Sequence, residues 1–146
     1  MPRATYTAYQ GAEPYFAMVR NALGDLVDGA HFFDVVAEDI AYEVRYDLGW
    51  PRVIRGRADL MAQFRGYVGA IRINAVDQVI ATRAEGGQVV TLEYEVHGTI
   101  LSTGVDYDNR FCSIVLIENR EIVAWRDYMD SHAAWTALTG GGVQRW

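Results

Sequence analysis

The chain has 146 residues, 51% of them hydrophobic, with 13 basic and 19 acidic side chains and a net charge of −6. That size and apolar content suit a single domain over 1–146 with its own core, needing no disulfide or metal staple. The acidic balance argues against nucleic acid or another polyanion as partner.

Cys112 is the single cysteine, so no disulfide can form within the chain. No run of about 18 apolar residues predicts a membrane span. The opening Met1-Pro2-Arg3-Ala4-Thr5 lacks the apolar stretch of a signal peptide. The expected compartment is the cytoplasm.

Residues 1–11 and the run from Thr139 through Gly140-Gly141-Gly142 read as tails, leaving an ordered core over about 13–138. Pro14 marks a first helical turn, and Phe16, Val19, Leu23 and Leu26 recur at helical spacing until Gly29. A second short helix is expected over 30–36, with Glu38-Asp39 as the turn into a strand. From Ile40 the period becomes two: Ile40, Tyr42, Val44 and Tyr46 alternate with more polar residues. Leu48-Gly49-Trp50-Pro51 reads as a loop. Arg57-Ala58-Asp59 opens a third helix, whose apolar face is Leu60, Met61, Phe64, Tyr67 and Val68.

Four strands are then expected, over about 71–82, 89–100, 105–117 and 121–129, turning at Glu85-Gly86-Gly87 and Glu118-Asn119-Arg120. Ser131 is expected to cap a last helix running to Leu138. Helices first and then a run of strands predict an α+β fold. The expected form is a cone: a curved antiparallel sheet with the N-terminal helices over its concave face, enclosing a cavity.

Parity on the last strand singles out one residue. Val123, Trp125, Asp127 and Met129 share a face, so Asp127 is an acid among apolar neighbours. An ionised carboxylate there must be hydrogen-bonded, be paired with a cation such as Arg20 or Arg126, or have a raised pKa. A raised pKa suits a general acid or base near neutral pH. On the neighbouring strand Asn109, Phe111, Ser113 and Val115 share a face, which places an amide near that acid. Tyr42 and Tyr94 are phenols able to orient the polar end of a substrate. The expected walls and binding residues are Val44, Tyr46, Trp50, Phe64, Tyr67, Val96, Phe111, Trp125 and Met129. Arg20, on the apolar face of the first helix, is a candidate reaching in from the rim. His31 falls near the expected mouth, and His97 faces outward. No metal-ligand spacing, glycine-rich phosphate loop or nucleophile elbow occurs, so no metal or cofactor is expected.

Three segments carry a family likeness: Glu38-Asp39, Val53-Ile54-Arg55-Gly56-Arg57, and Trp125-Arg126-Asp127-Tyr128-Met129-Asp130. Together they resemble the SnoaL-like branch of the nuclear transport factor 2-like superfamily, over roughly 13–138. That superfamily includes ketosteroid isomerases, scytalone dehydratase, limonene-epoxide hydrolase, polyketide cyclases and non-catalytic domains. The resemblance implies a cone-shaped fold and a homodimer formed through the sheet.

Limonene-epoxide hydrolase carries a catalytic aspartate at the position of Asp127. Its Tyr falls on Tyr42, whereas its second Asp, Arg and Asn fall on Val96, Tyr94 and Val44. The phenazine-biosynthesis PhzA/PhzB proteins share the patterns around Val96-His97-Gly98-Thr99-Ile100 and Tyr107-Asp108-Asn109-Arg110-Phe111, with a catalytic Glu at the position of Asp127. The resemblance thus implies an acid at 127 and leaves the reaction open. The expected activity is acid–base catalysis on a small hydrophobic cyclic molecule, of isomerase, dehydratase or cyclase type. The alternatives are a non-catalytic binding domain and an epoxide hydrolase with a non-standard site.

Overall fold

A computed structural model describes residues 6–46 and 51–139. A 3-10 turn, Thr7–Ala12, leads into helix α1, Glu13–Leu23, with Pro14 in its first turn. Residues 6–11, expected as part of a tail, are therefore ordered. Tyr9 is buried and meets Phe33 edge-on at 4.8 Å. One aromatic anchor in a polar stretch leaves no periodicity to read.

Helix α2 is shorter than expected, Phe32–Val35. His31 caps it: its Nδ1 accepts from the Phe33 N–H at 3.1 Å, and Asp34 accepts from the His31 N–H at 3.1 Å. This reciprocal pair satisfies two N-terminal donors. Strand β1, Val36–Val44, starts at once, ahead of the expected turn at Glu38-Asp39. The β-branched pair Val35-Val36 favours extended backbone there. After a short strand β2, Val53–Arg55, comes α3, Arg57–Ala70. Strands β3 (Ile71–Arg83), β4 (Val89–Ile100), β5 (Asp106–Glu118) and β6 (Glu121–Met129) follow, and α4, Ser131–Leu138, ends the described chain. Asp130, and not Ser131, caps α4, accepting from the Ala133 N–H at 3.1 Å.

The six strands form one curved sheet in the order β2-β1-β6-β5-β4-β3. Every neighbouring pair is antiparallel except β1 with β6, which run parallel. Parallel neighbours need a long crossover, and here the intervening chain supplies four other strands. The β5–β6 turn puts Asn119 and Arg120 at φ 52° and 64°, the left-handed pair of a tight hairpin. Arg120 is held there by Asp28, whose carboxylate it meets at 2.7 Å. Gly98 marks a close approach: a Cβ there would lie 2.6 Å from the Arg72 carbonyl oxygen on β3.

The concave face carries the core. Phe16, Phe32, Phe33 and Trp125 are fully buried and pack in edge and stacked contacts 5.0–5.9 Å apart. A register shift beside Leu116 and Ile117 lets Ile122 join this face, although simple alternation put it outside. Helix α3 buries only Leu60 completely; Phe64 and Tyr67 are half-covered because they border a cavity. No helix among the described residues is long and apolar enough to cross a membrane.

Candidate functional site

The cavity, about 260 Å³, lies between α3 and the concave face. Strand register sets its floor. Val44 on β1 stands beside Asp127 on β6, which stands beside Ser113 on β5. The next row holds Met129, Phe111 and Tyr94. Alternation brings all six side chains to the inner face.

Asp127 is 4% exposed. Its Oδ1 accepts from the Ser113 hydroxyl at 2.5 Å and from the Trp125 indole N–H at 2.9 Å. Its Oδ2 accepts only a long bond from the Tyr42 hydroxyl, 3.3 Å. Ser113 has a single proton to give, so the Tyr94 hydroxyl, 2.8 Å away, donates to Ser113. A relay thus runs from Tyr94 through Ser113 to the carboxylate. Neither Arg20 nor Arg126 pairs with the acid; all three side-chain donors are neutral.

Burial pushes the Asp127 pKa up to about 6, and the bonds from Ser113, Trp125 and Tyr42 only partly offset it. The phenols move upward too. Burial, reinforced by the Asp127 charge, raises Tyr42 and Tyr94 well above the ordinary tyrosine value. They therefore remain protonated donors at neutral pH.

Several expected site residues line the cavity: Tyr42, Val44, Tyr46, Phe64, Tyr67 and Tyr94, together with Val96, Phe111, Asp127 and Met129. Three do not. Trp125 is completely buried behind Asp127 and acts on it through the indole N–H. Asn109 is buried, but its amide is spent on the Tyr107 hydroxyl at 2.6 Å, the Met129 sulfur and the Arg110 N–H. Arg20 is held by the carbonyl oxygens of Gly24, at the end of its own helix, and of Gly29, in the loop before α2. These two backbone acceptors compete successfully for the guanidinium. Trp50 lies outside the described residues. His31 is also absent from the lining, being bonded to Glu13 at 3.2 Å and stacked on Tyr6.

Two functional candidates escaped the sequence reading. Ser113 was on the inward face, and its position opposite Asp127 was the available signal. Tyr15, on α1, lines the cavity and is 6% exposed. Its hydroxyl makes no well-formed hydrogen bond, and the hydroxyls of Tyr42 and Tyr94 interact with it only loosely. A buried hydroxyl so weakly satisfied is costly, and a ligand oxygen in the cavity would complete its bonding. On the outer face, Asp77, Glu95 and His97 bring potential metal-ligating atoms within 4.8 Å of one another.

A family profile described as a SnoaL-like domain matches residues 13–125. The uncharacterized protein YesE of Bacillus subtilis (strain 168) is 24% identical over 108 residues, 73% of this chain and 74% of that protein. An NTF2-like protein of Burkholderia xenovorans LB400 superposes with a TM-score of 0.64 at 22% identity, covering 93% and 98% of the two chains. A Catenulispora acidiphila protein of ketosteroid isomerase-like fold, solved in complex with trimethylamine, gives 0.63 at 19% identity, covering 94% and 92%. Other solved structures of this fold carry isomerase or polyketide cyclase designations.

Proposed function

The chain belongs to the SnoaL-like domain family, and from that premise we propose that it is an acid–base enzyme of isomerase, dehydratase or cyclase type. In this reading it acts on a small hydrophobic cyclic molecule in the cavity, uses only its own side chains, and has Asp127 as the proton shuttle. One observation carries the reading: a buried cavity carboxylate, with Oδ1 doubly bonded and Oδ2 nearly free, whose pKa is raised to about 6.

A carboxylate of that pKa is about nine-tenths ionised at neutral pH and still basic enough to take a proton from an activated carbon. Oδ2 would remove that proton, and the electron pair would move onto the adjoining carbonyl oxygen. The loosely bonded Tyr15 hydroxyl would donate to that oxygen as its charge grows. Its raised pKa keeps it a donor rather than a competing anion. The Asp127 carboxylic acid would then return the proton to a second carbon, or to a departing hydroxyl. The ketosteroid isomerase-like and cyclase-designated neighbours are consistent with such chemistry.

The test is a panel of cyclic enones, hydroxyketones and their saturated controls, assayed with wild type, Asp127→Asn and Tyr15→Phe. Asp127→Asn should lower kcat/KM by at least about 100-fold. In the wild type, kcat/KM should rise with pH and level off above about 6, as the carboxylate ionises. Full turnover by a folded Asp127→Asn would overturn the reading and mark a binding domain instead.

A further inference from the structure

Within that reading of the cavity, we propose that it also binds a positively charged ligand that competes with the molecule turned over: a cyclic amine, protonated in water, with its nitrogen at Asp127 Oδ2 and its ring against the tyrosines. Such an ammonium would occupy the oxygen that acts as the base, so it is a ligand of the site and not its substrate, and three observations converge on it.

The first is the charge of the lining. Among the described residues, Asp127 is the one formally charged side chain bordering the cavity; no lysine, arginine or histidine does so. An anionic ligand would meet a carboxylate and find no cation. A neutral ligand would leave the carboxylate to its three neutral donors. An ammonium supplies the missing counter-charge.

The second is the wall. Eight of the lining residues are tyrosine or phenylalanine. Tyr42 stands on β1, beside the strand of the acid, and Tyr94 on β4, one strand beyond β5; Tyr15 from α1 and Phe64 from α3 complete the wall. Aromatic faces attract a desolvated cation. Arg20 is bound to two carbonyls, and Arg45 meets Glu43 at 3.5 Å.

The third is the whole molecule. Its net charge of −6 raises the local concentration of cations and lowers that of anions.

The groups facing Asp127 allow a clean pH reading. They are Tyr15 from α1, Tyr42 from β1, Tyr46 just after it, Tyr67 from α3, Tyr94 from β4, and Ser113 and Tyr107 from β5. The phenols are all displaced upward, Tyr107 the least, to about 12. Only Asp127 among them titrates between about pH 5 and 8.

The experiment is isothermal titration of the full chain with three probes sharing one ring: cyclohexylamine, cyclohexanol and cyclohexanecarboxylate. At about pH 8 the amine should bind at least about tenfold more tightly than the alcohol, and the carboxylate should show no binding. At about pH 5, where Asp127 is protonated, amine binding should release close to one proton per site, measured by repeating the titration in buffers of different ionisation enthalpy. Asp127→Asn should abolish both the preference and the proton release. Because the wild-type proton count needs no variant, a misfolded Asp127→Asn would not rescue the proposal. Equal or tighter binding of the alcohol, binding of the carboxylate, or amine binding without proton release would each overturn it. If the alcohol wins while Asp127→Asn still loses turnover of a neutral ketone, the charge assignment falls and the acid–base reading survives. If the amine wins while Asp127→Asn keeps full turnover, the reverse holds.

Discussion

Asp127 and His97 sit on opposite faces of one sheet, and both hold protons more tightly than the free side chains do. The causes are opposite. Asp127 is displaced upward chiefly because burial penalises its charged form. His97 is displaced upward because Asp108, at 2.6 Å, and Asp77, at 2.8 Å, favour its charged form. Inside, the ionised state is under-stabilised and therefore chemically available. Outside, it is over-provided with partners, and water screens the whole cluster. A shifted pKa therefore marks a reactive group only when its cause is known.

The largest expected effect comes from removing the wall behind the inner acid. Trp125 is completely buried, stacks on Tyr42 with centroids 5.8 Å apart, and donates to Asp127. Trp125→Ala should cost about 3–5 kcal/mol in urea unfolding. Trp125→Phe keeps most of the packing and deletes the N–H, so it should cost less and raise the Asp127 pKa further. If the two variants are equally unstable, the indole N–H and not the packing dominates.

Next comes Asp127 itself. Its folded pKa of about 6 exceeds the ordinary 3.8, so between these values the native state binds the extra proton. Stability from this group is complete below about 4 and is lost as pH rises through about 6, by about 3 kcal/mol in all. Asp127→Asn should flatten that part of the stability–pH curve. It should also leave the protein at least as stable as wild type near neutral pH. A wild-type curve that is flat or rising between about pH 4 and 6 would show that burial does not dominate here.

How far this contrast was legible in the sequence depends on the face. Alternation placed Asp127 inward with Ser113, and His97 outward, because each strand has a period of two wherever one face is buried. The α+β fold followed from the order of elements. Three things did not follow. The parallel pairing of β1 with β6 depends on residues about eighty apart. Arg20 has the right helical face, but a carbonyl at its own helix end and another in the following loop bind it. Tyr15 sits next to the more obvious Phe16, and only the packed structure brings its hydroxyl inside, loosely set among those of Tyr42 and Tyr94. Asn109 shows the limit of parity: it is inward and buried, yet Tyr107 and Met129 occupy its amide.

Ser113→Ala gives a smaller, sharper probe of the inner face. It removes the short donor to Oδ1 and leaves Tyr94 without its acceptor. The Asp127 pKa should rise above about 6, because the lost bond favours the anion. Stability should fall by about 1–2 kcal/mol near neutral pH. Carbon-detected NMR titration of the aspartate carboxyls would register the shift directly. A pKa that fell would mean that water enters and solvates the acid better than the serine did.

The smallest effect belongs to the outer face. His97→Gln keeps a polar side chain and removes the titrating ring, whose side chain is 34% exposed. Exposed pairs of this kind contribute about 0.2–1 kcal/mol, and salt reduces them. The sign is distinct from an ordinary carboxylate pair. His97 stability is fully present below about 6.5, the unfolded value, and is lost as pH rises through its higher folded value. Wild type should therefore lose stability in two steps, a large one between about pH 4 and 6 from Asp127 and a small one above 6.5 from His97. Adding about 0.5 M salt should shrink the second step and spare the first, because screening reaches exposed charges and not a desolvated carboxyl. If both steps shrink together, Asp127 feels the outer cluster through the sheet, and the two faces are not electrostatically separate.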